Sequence, residues 1–222
     1  MHAELSDGYR CTTGVNLPTR LKKKFDMILS RERRMVKSVA LHTIKPKPFS
    51  VWEVLIPIVF ILGYMRSKEQ REIFAQNLMF TKKMALEAAF EMLKKDRPKE
   101  TVMRRIASET ESLLSSIPNG VYSDAIRQQQ IREVDLLIDH YCKLMRADGN
   151  DYAALVVNAY QTKTDYSDFQ EKLMSAERMV TQAARETLGH QTDNEMAGRI
   201  ETATEKIRRQ EVETIYSTHS RD

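Results

Sequence analysis

Two groups of residues in this chain have types and spacing that could hold a metal ion. Glu186 and His190 lie one helical turn apart, and Asp135, Asp139 and His140 lie close together in a predicted helix. Carboxylate oxygens and imidazole nitrogens are common metal ligands. None of the five histidines, however, falls in an HExxH or a paired ExxH motif. Solvent-exposed or capping roles explain these residues better, so we predict no metal site.

Other residue patterns typical of catalysis or cofactor binding are also missing. His140 and Cys142 are two residues apart on a predicted helix, so their side chains point in different directions and cannot form a nucleophile pair. The stretch 148–151 lacks the ligand spacing and the terminal Glu of a calcium loop, and a turn between helices explains it. The seven glycines never form a phosphate-binding motif. We therefore predict no cofactor and a protein that is not an enzyme.

The composition favours an all-α fold. Only seven Gly and six Pro occur in 222 residues, whereas a β-sandwich or barrel needs many tight turns built from such residues. The two cysteines, Cys11 and Cys142, do not form a disulfide framework. The acidic, polar N-terminus lacks the apolar core of a secretory signal, so we expect a cytoplasmic protein body.

Hydrophobic periodicity and turn residues divide the chain into six predicted segments. We predict an antiparallel helical bundle at about 98–189, joined by a long helix to a basic, membrane-facing N-terminal part that contains a Pro-kinked apolar segment. The predicted segments are a flexible leader (1–18), a basic amphipathic helix with a Pro hinge (19–47), an apolar membrane-associating segment (48–66), a long connecting helix (67–96), the bundle (97–190) and a C-terminal helix or loosely ordered tail (191–222).

Within the bundle, the sequence predicts both the core and some of the helix ends. Ser123 and Asn150 are predicted N-caps, and Ser167 with Gln170 three residues later is a predicted capping box. The helix after Asn150 has almost no polar face and should be central to the core. The residues predicted to be buried together are Leu137, Tyr141, Leu155, Val156, Leu173 and Val180.

Charge is distributed unevenly along the chain. Through Pro98 there are nineteen Lys and Arg against ten Asp and Glu, and from Lys99 onward sixteen against twenty-one. A basic half and an acidic half suggest different partners for each, namely anionic membrane lipids and a possible protein partner. Nucleic acid is an unlikely partner, because Phe25 is the only aromatic residue in the basic helix and no nucleic-acid-binding motif is present.

The basic amphipathic helix is the first predicted membrane contact. Its apolar positions recur at helical spacing and are surrounded by basic residues. Each Lys or Arg near an anionic leaflet contributes about 1 kcal/mol of attraction. The competing interpretation is a basic face packed on the acidic C-terminal half. The residues predicted to contact lipid in this helix are Lys22, Lys23, Lys24, Arg33 and Arg34.

The apolar segment is the second predicted membrane contact. Phe49 to Met65 would extend only about 25 Å as a straight helix, against roughly 30 Å of hydrocarbon, and it contains Glu53. Pro57 should kink it near its midpoint. Trp52 and Tyr64 stand near its ends, as interfacial anchors do. The predicted contact residues are Trp52, Leu55, Ile56, Pro57, Ile58, Phe60, Ile61 and Tyr64.

Three topologies remain open for the apolar segment. Basic residues flank it on both sides, which favours a shallow hairpin with both ends on the cytoplasmic face. The alternatives are a short, tilted span and a helix buried within the protein itself. The sequence therefore indicates a membrane-associated helical adaptor or scaffold, peripheral or monotopic at the cytoplasmic face. The alternative is a soluble helical interaction protein whose apolar segment is buried in its own core or in a partner interface.

Overall fold

The predicted all-α helical bundle is confirmed. The computed structural model describes residues 17–43, 67–116, 122–188 and 194–219, and within these ranges it contains seven α-helices and no strand. The helices are α1 (Leu17–Thr43), α2 (Ser67–Lys95), α3 (Lys99–Ser116), α4 (Asp124–Arg146), α5 (Tyr152–Tyr160), α6 (Lys163–Leu188) and α7 (Asn194–His219).

Five of the helices form a closed ring. Helix α1 packs on α2, α2 on α4, α4 on α6, α6 on α7, and α7 on α1. Helix α3 lies against α2 and α4, and the short α5 contacts α1, α4, α6 and α7. Helices α1, α2 and α7 therefore belong to the same packed unit as the helices predicted at about 98–189, and the bundle is larger than that range.

The predicted core residues are buried, but in two clusters. Val180 is buried in a smaller cluster with Tyr122, Ile126, Ala183 and Ala184. The apolar face of α5 is central, as predicted, because α5 is enclosed by four other helices. The predicted residues that share the main core are Leu137, Tyr141, Leu155, Val156 and Leu173.

The N-caps of α4 and α5 test two predictions. Ser123 caps α4, because its hydroxyl accepts a hydrogen bond from the Ile126 backbone N–H at 3.3 Å. The prediction that Asn150 caps α5 is wrong by one residue. The carboxylate of Asp151 accepts from the Ala154 N–H at 2.8 Å instead. Asp and Asn are similarly good caps, so the sequence alone does not separate these neighbours.

The predicted capping box at Ser167 and Gln170 is wrong. Helix α6 begins at Lys163, so both residues lie inside it. The N-terminal turn is fixed by Thr162, whose hydroxyl accepts a hydrogen bond from the Asp165 backbone N–H at 3.1 Å and donates to the Asp165 carboxylate at 2.6 Å. The first of these bonds is the N-cap half of a capping box, but the carboxylate of Asp165 bonds the Thr162 hydroxyl and not its backbone N–H, which donates to the Tyr160 carbonyl.

None of the described helices is both long and apolar enough to cross a membrane. The predicted apolar segment, with its contact residues from Trp52 to Tyr64, lies outside the described residues, as does the hinge at 45–48. The hairpin, the span and the buried helix therefore remain predictions.

Candidate functional site

Helix α1 separates its apolar and basic residues, and its apolar face is covered by protein. Ile28, Val36 and Val39 are fully buried among the other helices. This packing accounts for the amphipathic pattern of α1 without a membrane. The part of α1 that remains accessible to a partner is its outer face, which is mainly basic.

Three basic residues and one leucine lie along a single line on that outer face, which we call the basic stripe: Lys23, Arg34, Lys37 and Leu41. At about 100° per residue, these four positions fall within roughly 60° of the helix circumference. All four are exposed, and Leu41 is exposed to 64%. Among the described residues, Lys23 and Lys37 have no acidic partner, and Arg34 donates only to the Ser30 hydroxyl at 3.3 Å. The stripe therefore presents cations that are free to attract an anionic surface.

The other lipid contacts predicted in α1 divide into free and engaged groups. Arg33 is exposed and flanks the stripe. Lys22 forms an ion pair with Asp26 on the same helix. Lys24 donates to the backbone carbonyls of Met145 and Ala147, at 3.1 and 2.6 Å. Because Lys24 binds the last carbonyls of α4, it stabilises that helix end and is not free for lipid.

The competing interpretation of α1, in which basic residues pack on the acidic half, applies to its inner residues. Lys24 contacts the end of α4, and Arg31 pairs with Glu211 of α7 at 2.7 Å. Burial raises the pKa of Glu211, and the charge of Arg31 only partly offsets this effect. Packing of the inner basic residues of α1 on the acidic half is thus observed, and lipid contact by its outer residues stays a prediction.

A second candidate site lies inside the ring, where sequence reasoning found nothing. Each of the five ring helices contributes one charged side chain to a group that we call the buried ionic cluster. Four of the five residues are buried, and Glu177 is partly exposed. In the order of their helices, the members of the cluster are Glu32, Lys82, Glu133, Glu177 and Arg208.

Four members of the cluster form two ion pairs. The ammonium of Lys82 lies 2.9 Å from one carboxylate oxygen of Glu32, and Tyr141 donates to the other at 3.1 Å. Burial by itself would raise the pKa of Glu32, but the charge and hydrogen bond of Lys82 outweigh it and the pKa is lowered. Arg208 donates two hydrogen bonds to Glu177, at 2.7 and 2.6 Å. Burial opposes the charged form of Arg208, but Glu177 outweighs it and raises the pKa.

Glu133, the fifth member, has no ion pair and no hydrogen bond with any described side chain. Its exposed fraction is only 7%. Burial and the nearby charge of Glu177 raise its pKa to about 8, although Lys82 and Arg208 act in the opposite direction. At neutral pH the carboxyl group is therefore mainly protonated and can donate a hydrogen bond.

The cluster borders two cavities. The larger, of about 70 Å³, lies within the ring and has walls from all five ring helices, with Glu133 among its lining residues. The smaller, of about 20 Å³, is lined by Glu32, His140, Gln170 and Glu211, among others. Met35, Lys82 and Arg208 line both cavities. The large cavity combines charged groups with apolar walls, which is a common composition for a small-molecule site. Its apolar lining residues include Met35, Val36, Val39, Met174, Val180 and Ile200.

His140 has a structural role in this core. Its Nδ1 lies 2.7 Å from the Tyr160 hydroxyl, and its ring stacks on Phe169 with centroids 4.1 Å apart. Burial and the positive charges of Lys82 and Arg208 hold its pKa well below the usual value, so the imidazole is neutral.

The remaining residues with potential chemistry are dispersed. Asp135 and Asp139 both pair with Lys99, at 2.7 and 2.8 Å. Burial raises the pKa of the free thiol of Cys142, which disfavours a nucleophilic thiolate. In the described part of the chain, no three His, Cys, Asp or Glu side chains are grouped to hold a metal ion. His190 lies outside that part.

No protein-family model, curated protein or solved structure matches this chain. Two features of the molecule point to a function, the basic stripe on the surface and the cavity beside the buried ionic cluster.

Proposed function

We propose that this protein is a membrane-associated helical adaptor without catalytic activity, which attaches to an anionic membrane surface through α1 and the apolar segment 48–66. The observation that carries the proposal is the basic stripe. Lys23, Arg34 and Lys37 project from the bundle without acidic partners among the described residues, on the helix that precedes the apolar segment. A cytoplasmic leaflet, which is rich in anionic lipid, is the membrane face that fits these charges.

The size of the electrostatic attraction suggests that membrane binding needs a hydrophobic contribution as well. Three basic residues at about 1 kcal/mol each supply about 3 kcal/mol, which is too little for stable attachment alone. Stable anchoring usually needs a second, hydrophobic contribution. Leu41 at the end of the stripe and the uncharged stretch from Val54 to Met65 are suited to provide it.

The acidic half of the chain is the part that we propose binds a protein partner. From Lys99 onward, acidic residues exceed basic ones by five. Within the described residues, helices α3 and α6 do not pack against α1, so a partner there need not compete with the membrane contact. The protein would then link a soluble partner to the membrane surface.

The test is binding of the full chain to phosphatidylcholine vesicles with and without phosphatidylserine. The test variant combines Lys23→Glu, Arg34→Glu and Lys37→Glu. Removing about 3 kcal/mol of attraction predicts at least a 100-fold loss of affinity for the anionic vesicles. Wild-type binding should also weaken as salt is raised, because exposed charges are screened.

The matched control combines Arg104→Glu, Arg132→Glu and Lys172→Glu, which are exposed on α3, α4 and α6. It changes the net charge by the same amount as the test variant but leaves the basic stripe intact, so it should retain nearly all of the vesicle binding. Equal losses in both variants would show that net charge matters and the stripe does not. Failure of the wild type to bind anionic vesicles would favour the alternative, a soluble helical interaction protein.

A further inference from the structure

The buried ionic cluster contains one more acid than base. Glu32, Glu133 and Glu177 face only two cations, Lys82 and Arg208. An unpaired ionised carboxylate is costly to bury, so such a group either binds a proton or acquires a positive partner. Because the other two acids are paired at short distance, Glu133 is the group that lacks a counter-charge.

The charges that act on Glu133 come from three other ring helices. They are Lys82 of α2, Glu177 of α6 and Arg208 of α7. Helix α3 buries no charged residue, and α5 contains none. One added positive charge would therefore make the whole cluster neutral with all three carboxyls ionised.

The cavity beside Glu133 sets the size and the chemistry of a ligand. A water-sized group needs at least about 10–15 Å³ of such space, so about 70 Å³ admits roughly five non-hydrogen atoms. Met35, Val36 and Val39 of α1 and Val180 and Ile200 of the facing helices form apolar walls. These walls suit an alkyl chain and do not suit a hydrated ion.

We propose that this cavity binds a small aliphatic ammonium ion, whose charged group pairs with the carboxylate of Glu133 and whose alkyl chain packs on the apolar walls. The protonated carboxyl of Glu133 releases its proton to solvent when the ammonium binds. The net charge of the cavity region therefore does not change. An anionic ligand would instead bring a negative charge that no unpaired basic group of the cluster balances.

The paired bases support the same choice of ligand. Lys82 and Arg208 already pair with Glu32 and Glu177, so their positive charges are balanced without an anionic ligand. Arg178, which also lines the cavity, lies 3.5 Å from Glu205. Glu133 is the ionisable lining group whose pairing remains open among the described residues.

The experiment is calorimetric titration of the full chain with n-butylammonium chloride at pH 7, in buffers of different ionisation enthalpy. The expected result is saturable binding with release of close to one proton per ligand. Glu133→Gln should weaken binding at least tenfold and abolish the proton release. The amide mimics the neutral carboxyl of the free protein, so this variant should fold, and thermal unfolding checks it.

The matched control is Glu201→Gln. Glu201 lines the same cavity but is paired with Arg185 at 3.7 Å, so its variant should bind within about twofold of the wild type and keep the proton release. If Glu133→Gln does not fold, the number of protons that the wild type releases per bound ligand tests the proposal by itself. Equal binding of neutral n-butanol, binding without proton release, or no binding would each overturn the proposal.

Discussion

Arg208 of α7 donates two hydrogen bonds to the carboxylate of Glu177 of α6, at 2.7 and 2.6 Å, with only 2% of Arg208 exposed. The paired, parallel geometry is the strongest arrangement available to these two side chains. It fixes α7 against α6, and the Arg31–Glu211 pair fixes α7 against α1. The C-terminal segment, predicted as a helix or a loosely ordered tail, is thus a helix with buried polar contacts.

Arg208→Ala should destabilise the protein by about 3–5 kcal/mol, because removing one partner of a buried pair leaves the other without compensation. Arg209→Ala is the matched control. Its side chain is mostly exposed and pairs with Glu205 one turn away, so the loss should stay below about 1 kcal/mol. Urea unfolding followed by circular dichroism measures both. Similar losses in the two variants would contradict a special role for the buried pair.

Apolar periodicity predicted the helices and much of the core, but it did not predict the buried charges. Glu32 lies one turn after Ile28 and one turn before Val36, so a charged residue stands in the apolar stripe of α1. That misplaced charge is a usable signal in the sequence. The identity of its partner is not, because pairing with Lys82 depends on how α1 and α2 pack.

The interpretation of α1 shows a second limit of sequence patterns. An amphipathic pattern states that one face of a helix is apolar, but it does not state what covers that face. The apolar face of α1 is covered by α2, α4, α5 and α7. Lys24 appeared equivalent to Lys23 in the sequence, yet its contact with the end of α4 depends on tertiary packing.

Leu155→Ala should cost about 2–5 kcal/mol of unfolding free energy, because Leu155 is completely buried in the main core and its truncation leaves a cavity. Leu41→Ala makes the same chemical change at an exposed position, and its effect should lie within about 0.5 kcal/mol. Chemical denaturation distinguishes them. A loss below about 0.5 kcal/mol for Leu155→Ala would mean that α5 does not pack in the core.

Lys24→Met should destabilise the protein by about 0.5–1.5 kcal/mol, because it removes two hydrogen bonds to the C-terminal carbonyls of α4 and a favourable charge there. The neighbouring Lys23→Met, at an exposed position, should have almost no effect on stability. The same two variants should behave in the opposite way in vesicle binding, where Lys23 matters more. Equal stability of the two variants would contradict the proposed role of Lys24 in stabilising the C-terminal end of α4.

The stability of the wild type should depend on pH through Glu133. Its folded-state pKa of about 8 lies above the ordinary value of 4.5, so between these values the folded state holds more proton than the unfolded state. The stabilisation from this proton is complete below the lower value and is lost as the pH rises through the upper one.

Glu133→Gln keeps a neutral side chain at every pH. Burial also raises the pKa of Glu211, but Glu211 is present in both proteins, so the difference between them reports on Glu133 alone. Between pH 6 and pH 9, the wild type should therefore lose about 2–3 kcal/mol relative to the variant. The measurement is the unfolding free energy of both proteins from urea titrations at each pH. If the difference between them stays constant, Glu133 is already ionised in the folded protein at pH 6, and the acid excess of the cluster is balanced by another group.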